Sequence, residues 1–265
     1  MTESASLDGV PPLRERRRMA VNATPAPLTL PTDEPDIAGL VIEDDTPVDS
    51  IVTEKQERLL TDALYSSWSG PPPARDGQAR PFAAFANVGL FSSSLEPPVV
   101  PDVMLSLDVS IPGDQTEKKN RSYFMWRYGK PPEVVIELVS HTPGAELTEK
   151  FERYRKIGVA HYIVYDPLGE LGNVALRAFE LRGGLYVVGG HTWFEAVGLG
   201  LIEWDGVFEG FDSRWLRWCT RDGSVIPTGA ERALAAGARA STAEARAERL
   251  LAKLRAAGID PNGDG

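Results

Sequence analysis

A chain of 265 residues, 42% of them apolar, can build one large domain or two small ones with a sizeable core. Its formal charge of −10 excludes a broad electropositive nucleic-acid surface, although residues 1–50 carry −6 of that charge and leave room for a local basic cleft. The single cysteine, Cys219, excludes an intramolecular disulfide and a Cys-based zinc site; the lack of a spanning apolar run or secretory leader points away from membranes and toward a cytoplasmic setting.

Residues 1–49 are rich in Pro, Ala, Thr, Asp and Glu and lack periodicity, so a disordered acidic arm is expected there. Its "RERRR" cluster reads as a solvated stretch or a nucleic-acid contact. "VDSIVTEKQERLLTDALYSSW" has helical spacing, with Ser50 or Thr53 as cap and Ile51, Leu59, Leu60 and Leu64 as an apolar face. "SGPPPARDGQARP" ends that helix. "PFAAFANVGLFSSS" then starts a sheet on Phe82, Phe85, Val88 and Phe91, and "VVPDVMLSLDVSI" supplies a strand from about Pro101. Alternation puts Asp102, Met104 and Ser106 on one side of that strand and Val103, Leu105 and Leu107 on the other.

The next segment, "PGDQTEKKNRSYFMWRYGKPP", carries a local charge of +3 and an aromatic strip that suits either base stacking or a core-packing lid. A strand over 133–139, a helix in "LTEKFERYRKIG" stopped by Gly158, and a strand in "HYIVYDP" come next. "ALRAFELRGGLYVV" reads as a hairpin turning at Gly183-Gly184. One mixed α/β domain over 50–220 is expected, followed by a helical, Ala-rich tail over 221–265 with a small Leu250, Leu251, Leu254 patch.

The chemistry centres on "PPEVVIELVS", where Glu137 stands among aliphatic residues. A buried charge is costly unless it is paired or binds a metal. Glu137 shares a side with Val135 and Val139, and Asp102 opens the preceding candidate strand. If those strands are neighbours, two carboxylates meet at one end of the sheet, and a divalent cation relieves their repulsion. Lys150 lies on the following helix with Phe151, Tyr154 and Ile157 at helical spacing. An ammonium there can stabilise negative charge on a phosphate, or simply pair with Glu146 on the helix surface. His161, between that helix and the next strand, reads as structural or surface, and His141, in the loop after Glu137, is a poor ligand for a hard cation, which prefers oxygen.

"VPDVMLSLD", "PPEVVIELVS" and "TEKFERYRKIGVAHYIVYDP", in that order, resemble the Uma2 family of restriction-endonuclease-like proteins, within the PD-(D/E)XK nuclease superfamily. The resemblance covers roughly residues 50–220 and implies a mixed central sheet flanked by helices, with a metal-dependent endonuclease acting on DNA. It matches Asp102 to the PD aspartate and Glu137 to the acid of the (D/E)XK strand, and implies that the Leu138 carbonyl helps ligate Mg2+, or Mn2+ in its place. Val139 stands where the superfamily consensus has lysine; the Uma2 pattern has its lysine early in the next helix, where Lys150 stands. A glutamate of the first core helix often joins the site, with Glu54 and Glu57 as candidates here. The competing readings are a non-catalytic nucleic-acid-binding or regulatory module on the same fold, and an oligomer component assembled through the C-terminal helix or the core.

Overall fold

The computed structural model describes residues 34–42, 50–140, 145–189 and 192–257. The "RERRR" cluster, most of the acidic arm and His141 lie outside the described residues. Residues 36–40 form a turn, and the Lys118 ammonium donates to the carbonyls of Ala38 and Leu40 at 2.9 and 2.6 Å.

Helix α1 spans Ile51–Ser67 and starts on Ser50, whose hydroxyl accepts from the Thr53 amide at 3.1 Å. That bond satisfies one of the four donors every helix start leaves without an internal partner. Leu59, Leu60 and Leu64 are buried as their spacing predicts, but Ile51 is 65% exposed. Ile51 sits in the first turn, at the mouth of a cleft rather than over the sheet.

The main sheet takes β1 (Phe82–Ala86), β3 (Val103–Leu107), β5 (Val134–Leu138), β6 (His161–Tyr165), β7 (Leu176–Arg182) and β8 (Leu185–Val188), in that spatial order. All neighbours are antiparallel except β5 and β6, which run parallel on either side of helix α3 (Glu149–Ile157). Parallel neighbours need such a crossover. Gly158 ends α3 at φ +91°, a conformation in which a side chain would be strained.

Period-two alternation sends the strand side chains into two separate cores. Val103, Leu105, Val134, Ile136 and Leu138 pack with α1. Met104, Val135, Val139 and Val164 pack with Tyr154 of α3, and the Glu137 side chain enters this second layer. A three-stranded antiparallel sheet closes the α1 side: β9 (Trp193–Phe194), β10 (Leu199–Phe208) and β11 (Phe211–Cys219). The sequence reading missed its long β10–β11 hairpin. Its turn is Glu209-Gly210, both at positive φ, where Asn-Gly or Asp-Gly is the usual signature.

The start of the aromatic strip faces inward, and the rest of it is half-buried. Tyr123 and Phe124 form the short strand β4, fully buried beside β2 (Leu90–Phe91), and α2 (Met125–Tyr128) follows. Tyr123 stacks on Tyr128 at 4.2 Å and its hydroxyl meets Ser106 at 2.8 Å. The Tyr123 and Phe124 rings are core, so base stacking on those two is ruled out by burial. After β11 the chain stays packed through Ile226 and Thr228, and helix α4 (Gly229–Ala256) begins on a Thr228–Glu231 capping box. The buried Arg217 guanidinium holds Glu231 at 2.7 Å and lies over Trp204. Leu234, Leu250, Leu251 and Leu254 of α4 are exposed.

Candidate active site

The register sets the site. Val103 pairs with Ile136 across the antiparallel β3–β5 ladder, so one step outward Asp102 comes opposite Glu137. Residues opposite each other in such a ladder point to the same face. One Asp102 carboxylate oxygen accepts from the Leu138 amide at 2.6 Å, which pins the aspartate at the strand end. Glu137 is fully buried, and α3 supplies both partners of its carboxylate. Lys150 Nζ donates to Oε2 at 2.6 Å and the Tyr154 hydroxyl donates to Oε1 at 2.6 Å. Lys150 and Tyr154 are four residues apart and therefore share one helix face. Lys150 turns to Glu137 with its ion pair, and the Glu146 charge adds to the field that holds its ammonium.

Three of the sequence candidates, Asp102, Glu137 and Lys150, are thus brought together, with the Leu138 backbone between the acids. Glu54 and Glu57 separate clearly. Glu54 is half-buried and pairs with Arg58 along the helix. Glu57 is buried and accepts from Asn87 Nδ2 at 2.6 Å. Asn87 follows β1 at φ +54°, a conformation Asn tolerates better than most residues, and its amide donates to the Asp102 carbonyl at 3.2 Å. Asn87 therefore links Glu57 of α1 to the site aspartate. The sequence reading missed Asn87, and it placed Tyr154 on the sheet-facing side of α3 without a polar role. Both act through partners distant in sequence; the one local hint was Asn after a strand, a common turn residue.

The electrostatics follow from burial. Loss of solvent first, and the neighbouring Asp102 charge second, push the Glu137 pKa up to about 8 against the opposing pull of Lys150 and Tyr154. Burial alone would lower the Lys150 pKa, but the Glu137 charge and hydrogen bond, together with Asp102, raise it overall. The site therefore binds a proton more readily than an exposed glutamate does. Among the described residues no group of three His, Cys, Asp or Glu side chains is placed to hold a metal ion. Two carboxylates and one backbone carbonyl are still a fitting donor set for magnesium, a hard ion that commonly keeps several waters and binds through one or two carboxylates.

Two results are expected from this geometry. The folded-state pKa of Glu137 lies above its value of 4.5 in a free chain, so the folded state binds the extra proton. The stability this contributes is complete below pH ~4.5 and is lost as pH rises toward ~8, with a falling slope between. Urea midpoints in chelator from pH 5 to 9 should show that fall, and Glu137→Gln should flatten it. Tyr154→Phe keeps the ring but strips Oε1 of its donor, at a cost of about 1–3 kcal/mol. Urea unfolding at pH 8 reads that loss; an unchanged midpoint would show that the hydrogen bond contributes nothing.

Leu138 and Lys150 also line a cleft of about 1200 Å³, bounded by the start of α1 and the β10–β11 hairpin. A mixed sheet with paired acids at the end of two central strands, and a helix lysine bonded to one of them, defines a restriction-endonuclease-like protein. The model of the Uma2 family, described as "Putative restriction endonuclease", matches residues 36–187. That span is more than half the chain, and the chain belongs to the Uma2 family, whose general placement is the PD-(D/E)XK superfamily. No curated protein matches it. No described helix is long and apolar enough to cross a membrane.

Proposed function

We propose that this protein is a magnesium-dependent endonuclease that hydrolyses phosphodiester bonds in DNA, with manganese able to substitute. The observation that carries the reading is the fully buried Glu137, held between Lys150 and Tyr154 and set opposite Asp102. An acid in that position is expensive to keep unless its charge is used. The Asp102 and Glu137 carboxylates and the Leu138 carbonyl would hold the ion. Bound there, a divalent cation supplies a nucleophilic water near neutral pH and offsets charge on the phosphate.

The chain's own residues have distinct tasks. Lys150 neutralises part of the acid pair and presents an ammonium at the cleft, where a phosphate in transition to five-coordination gains negative charge. Tyr154 fixes the rotamer of Glu137, and the Leu138 amide fixes that of Asp102. Glu57, through Asn87, steadies the backbone at Asp102. Residues 50–220 form the nuclease domain in this reading and 221–265 a C-terminal tail, whose exposed leucines suit self-association. A buried free Cys219 suits a reducing, cytoplasmic setting.

A second reading, a non-catalytic nucleic-acid-binding or regulatory module, is favoured by two observations. Lys150 is already engaged by Glu137, and the described residues hold no three-ligand side-chain cluster. Supercoiled plasmid incubated with magnesium or manganese separates the two. Nicking that stops with chelator is expected. Protein that binds DNA but leaves plasmid uncut at every salt and metal concentration would select the second reading.

A further inference from the structure

Among the described residues nothing covers the length of helix α4. Its start is fixed to α1: the Gly229 amide donates to Asp62 at 3.0 Å, and the Arg232 guanidinium to the Ser66 carbonyl. Beyond that first turn every residue to Ala256 is exposed except Ala245, which is half-buried. A helix standing in water is normally polar all round, yet α4 carries an unbroken apolar line. Ala233, Ala236, Ala240, Ala243, Ala247, Leu250 and Leu254 follow one another at alternating steps of three and four residues. That is the core seam of a coiled coil, held over three heptads, or about 33 Å of helix. Leu250 and Leu254, the largest side chains on the line, are 53% and 37% exposed. A row of cations runs along one edge of the seam: Arg232, Arg239, Arg246 and Lys253, each seven residues from the last. The other edge carries Gly237, Glu244 and Leu251. Arg239, Arg246, Lys253 and Glu244 make no ion pair among the described residues. Alanine alone would serve helix formation. The leucines on the same line and the cations along its edge do not follow from that.

We propose that α4 pairs with α4 of a second copy of this chain, as a parallel, in-register, two-stranded coiled coil. The charges beside the seam decide the partner and its direction. In a parallel pair, the cationic edge of one helix meets the opposite edge of the other, one heptad along. Arg239 then faces Glu244 of the second copy, and the two-fold symmetry repeats the pair. The helix thus supplies both halves of its own ion pair. Arg246 lays its stem over Leu251, and Arg232 meets Gly237. In an antiparallel pair like edges meet, and four cations would stand against four. Like charges at such neighbouring positions are destabilising. Alanines in the seam let the two axes approach closely, because the distance between packed helices follows the side chains at the contact. The parallel direction also brings both α4 starts, and the domains fixed to them, to one end of the coil. The pairing stands independently of the nuclease reading. On that reading, the dimer holds one Asp102–Glu137 pair for each strand of a duplex.

The test reads assembly, not cleavage. Full-length protein at about 100 µM should show, by light scattering, twice the mass of the 28.9 kDa chain. In Leu250→Cys the two thiols face each other across a parallel seam, within reach of a disulfide, and mild oxidation should link the copies. Ala252→Cys, on the outer side of the coil, should not link. The one native cysteine, Cys219, is buried and stays out of the reaction. Arg239→Glu sets acid against Glu244 and should weaken the dimer about tenfold. Combining it with Glu244→Arg exchanges the charges and should restore the wild-type affinity. A one-chain mass at that concentration would overturn the inference. So would a dimer that does not link through position 250, an Arg239→Glu variant that assembles like wild type, or an exchange that restores nothing. Each of these outcomes leaves the nuclease reading standing, since plasmid nicking tests it separately.

Discussion

Glu137→Gln is expected to abolish metal-dependent cleavage while the protein remains folded. Glutamine keeps the length and planarity of the side chain, and its one carbonyl oxygen can still accept from Tyr154, the partner that stays buried. It cannot carry the charge that holds a divalent cation. The fold should survive because burial already favours the neutral form of this carboxyl. Lys150, whose side chain is 31% exposed, can turn to water or toward Glu146 when its partner loses charge. Calorimetric titration with manganese should therefore show binding weakened at least a hundredfold, with cleavage below detection and circular dichroism unchanged. Asp102→Asn should behave alike, since it removes the other half of the acid pair. A Glu137→Gln variant that cuts at the wild-type rate would remove this carboxylate from the chemistry.

The site's main acid was legible because it broke a pattern. A glutamate within "VVIELV" contradicts the composition of a buried strand, and such contradictions collect where function overrides packing. The neighbouring position of Asp102 depended on two strands pairing, which the alternation of both made consistent and the β3–β5 register realises. Lys150 followed from helix spacing and from the family pattern together. The choice between Glu54 and Glu57 could not be read from sequence. Three residues apart, both fall on neighbouring parts of one helix face. The difference lies in Asn87, thirty positions on, which reaches only Glu57.

Other features stayed open in the sequence, or were misread, for the same kind of reason. The aromatic strip looks like a surface for bases when only its charged neighbours are counted. Tyr123 is instead held inward by Ser106 and Phe85, neither of which is local enough to show in a window of sequence, and it stacks on Tyr128 of its own strip. Ile51 fits the apolar period of α1, yet it stands beyond the sheet edge and faces the cleft. Periodicity gives the direction of a side chain but not what lies opposite it.

Lys150→Met should leave cation binding nearly intact and slow cleavage about 10²–10³-fold, the loss typical of removing one preorganised charge from a transition state. Methionine fills most of the volume of the lysine stem and keeps its packing on α3. The ammonium contributes in two opposing ways. It competes with a cation for Glu137 Oε2, so its removal does not weaken metal binding and can strengthen it slightly. It also stabilises charge that appears only as the phosphate is attacked, and this second effect governs the rate. Single-turnover cleavage at saturating manganese, set beside a calorimetric metal titration of the same variant, separates the two. Lys150→Arg should recover part of the rate, because charge is restored while the planar guanidinium cannot copy the ammonium's position. A Lys150→Met variant that cuts as fast as wild type would show that the helix lysine only balances Glu137. One that loses both metal affinity and rate would make it a structural prop for the acid pair. In either case the stabilising charge would have to come from elsewhere around the cleft, where Arg214 is the next cation.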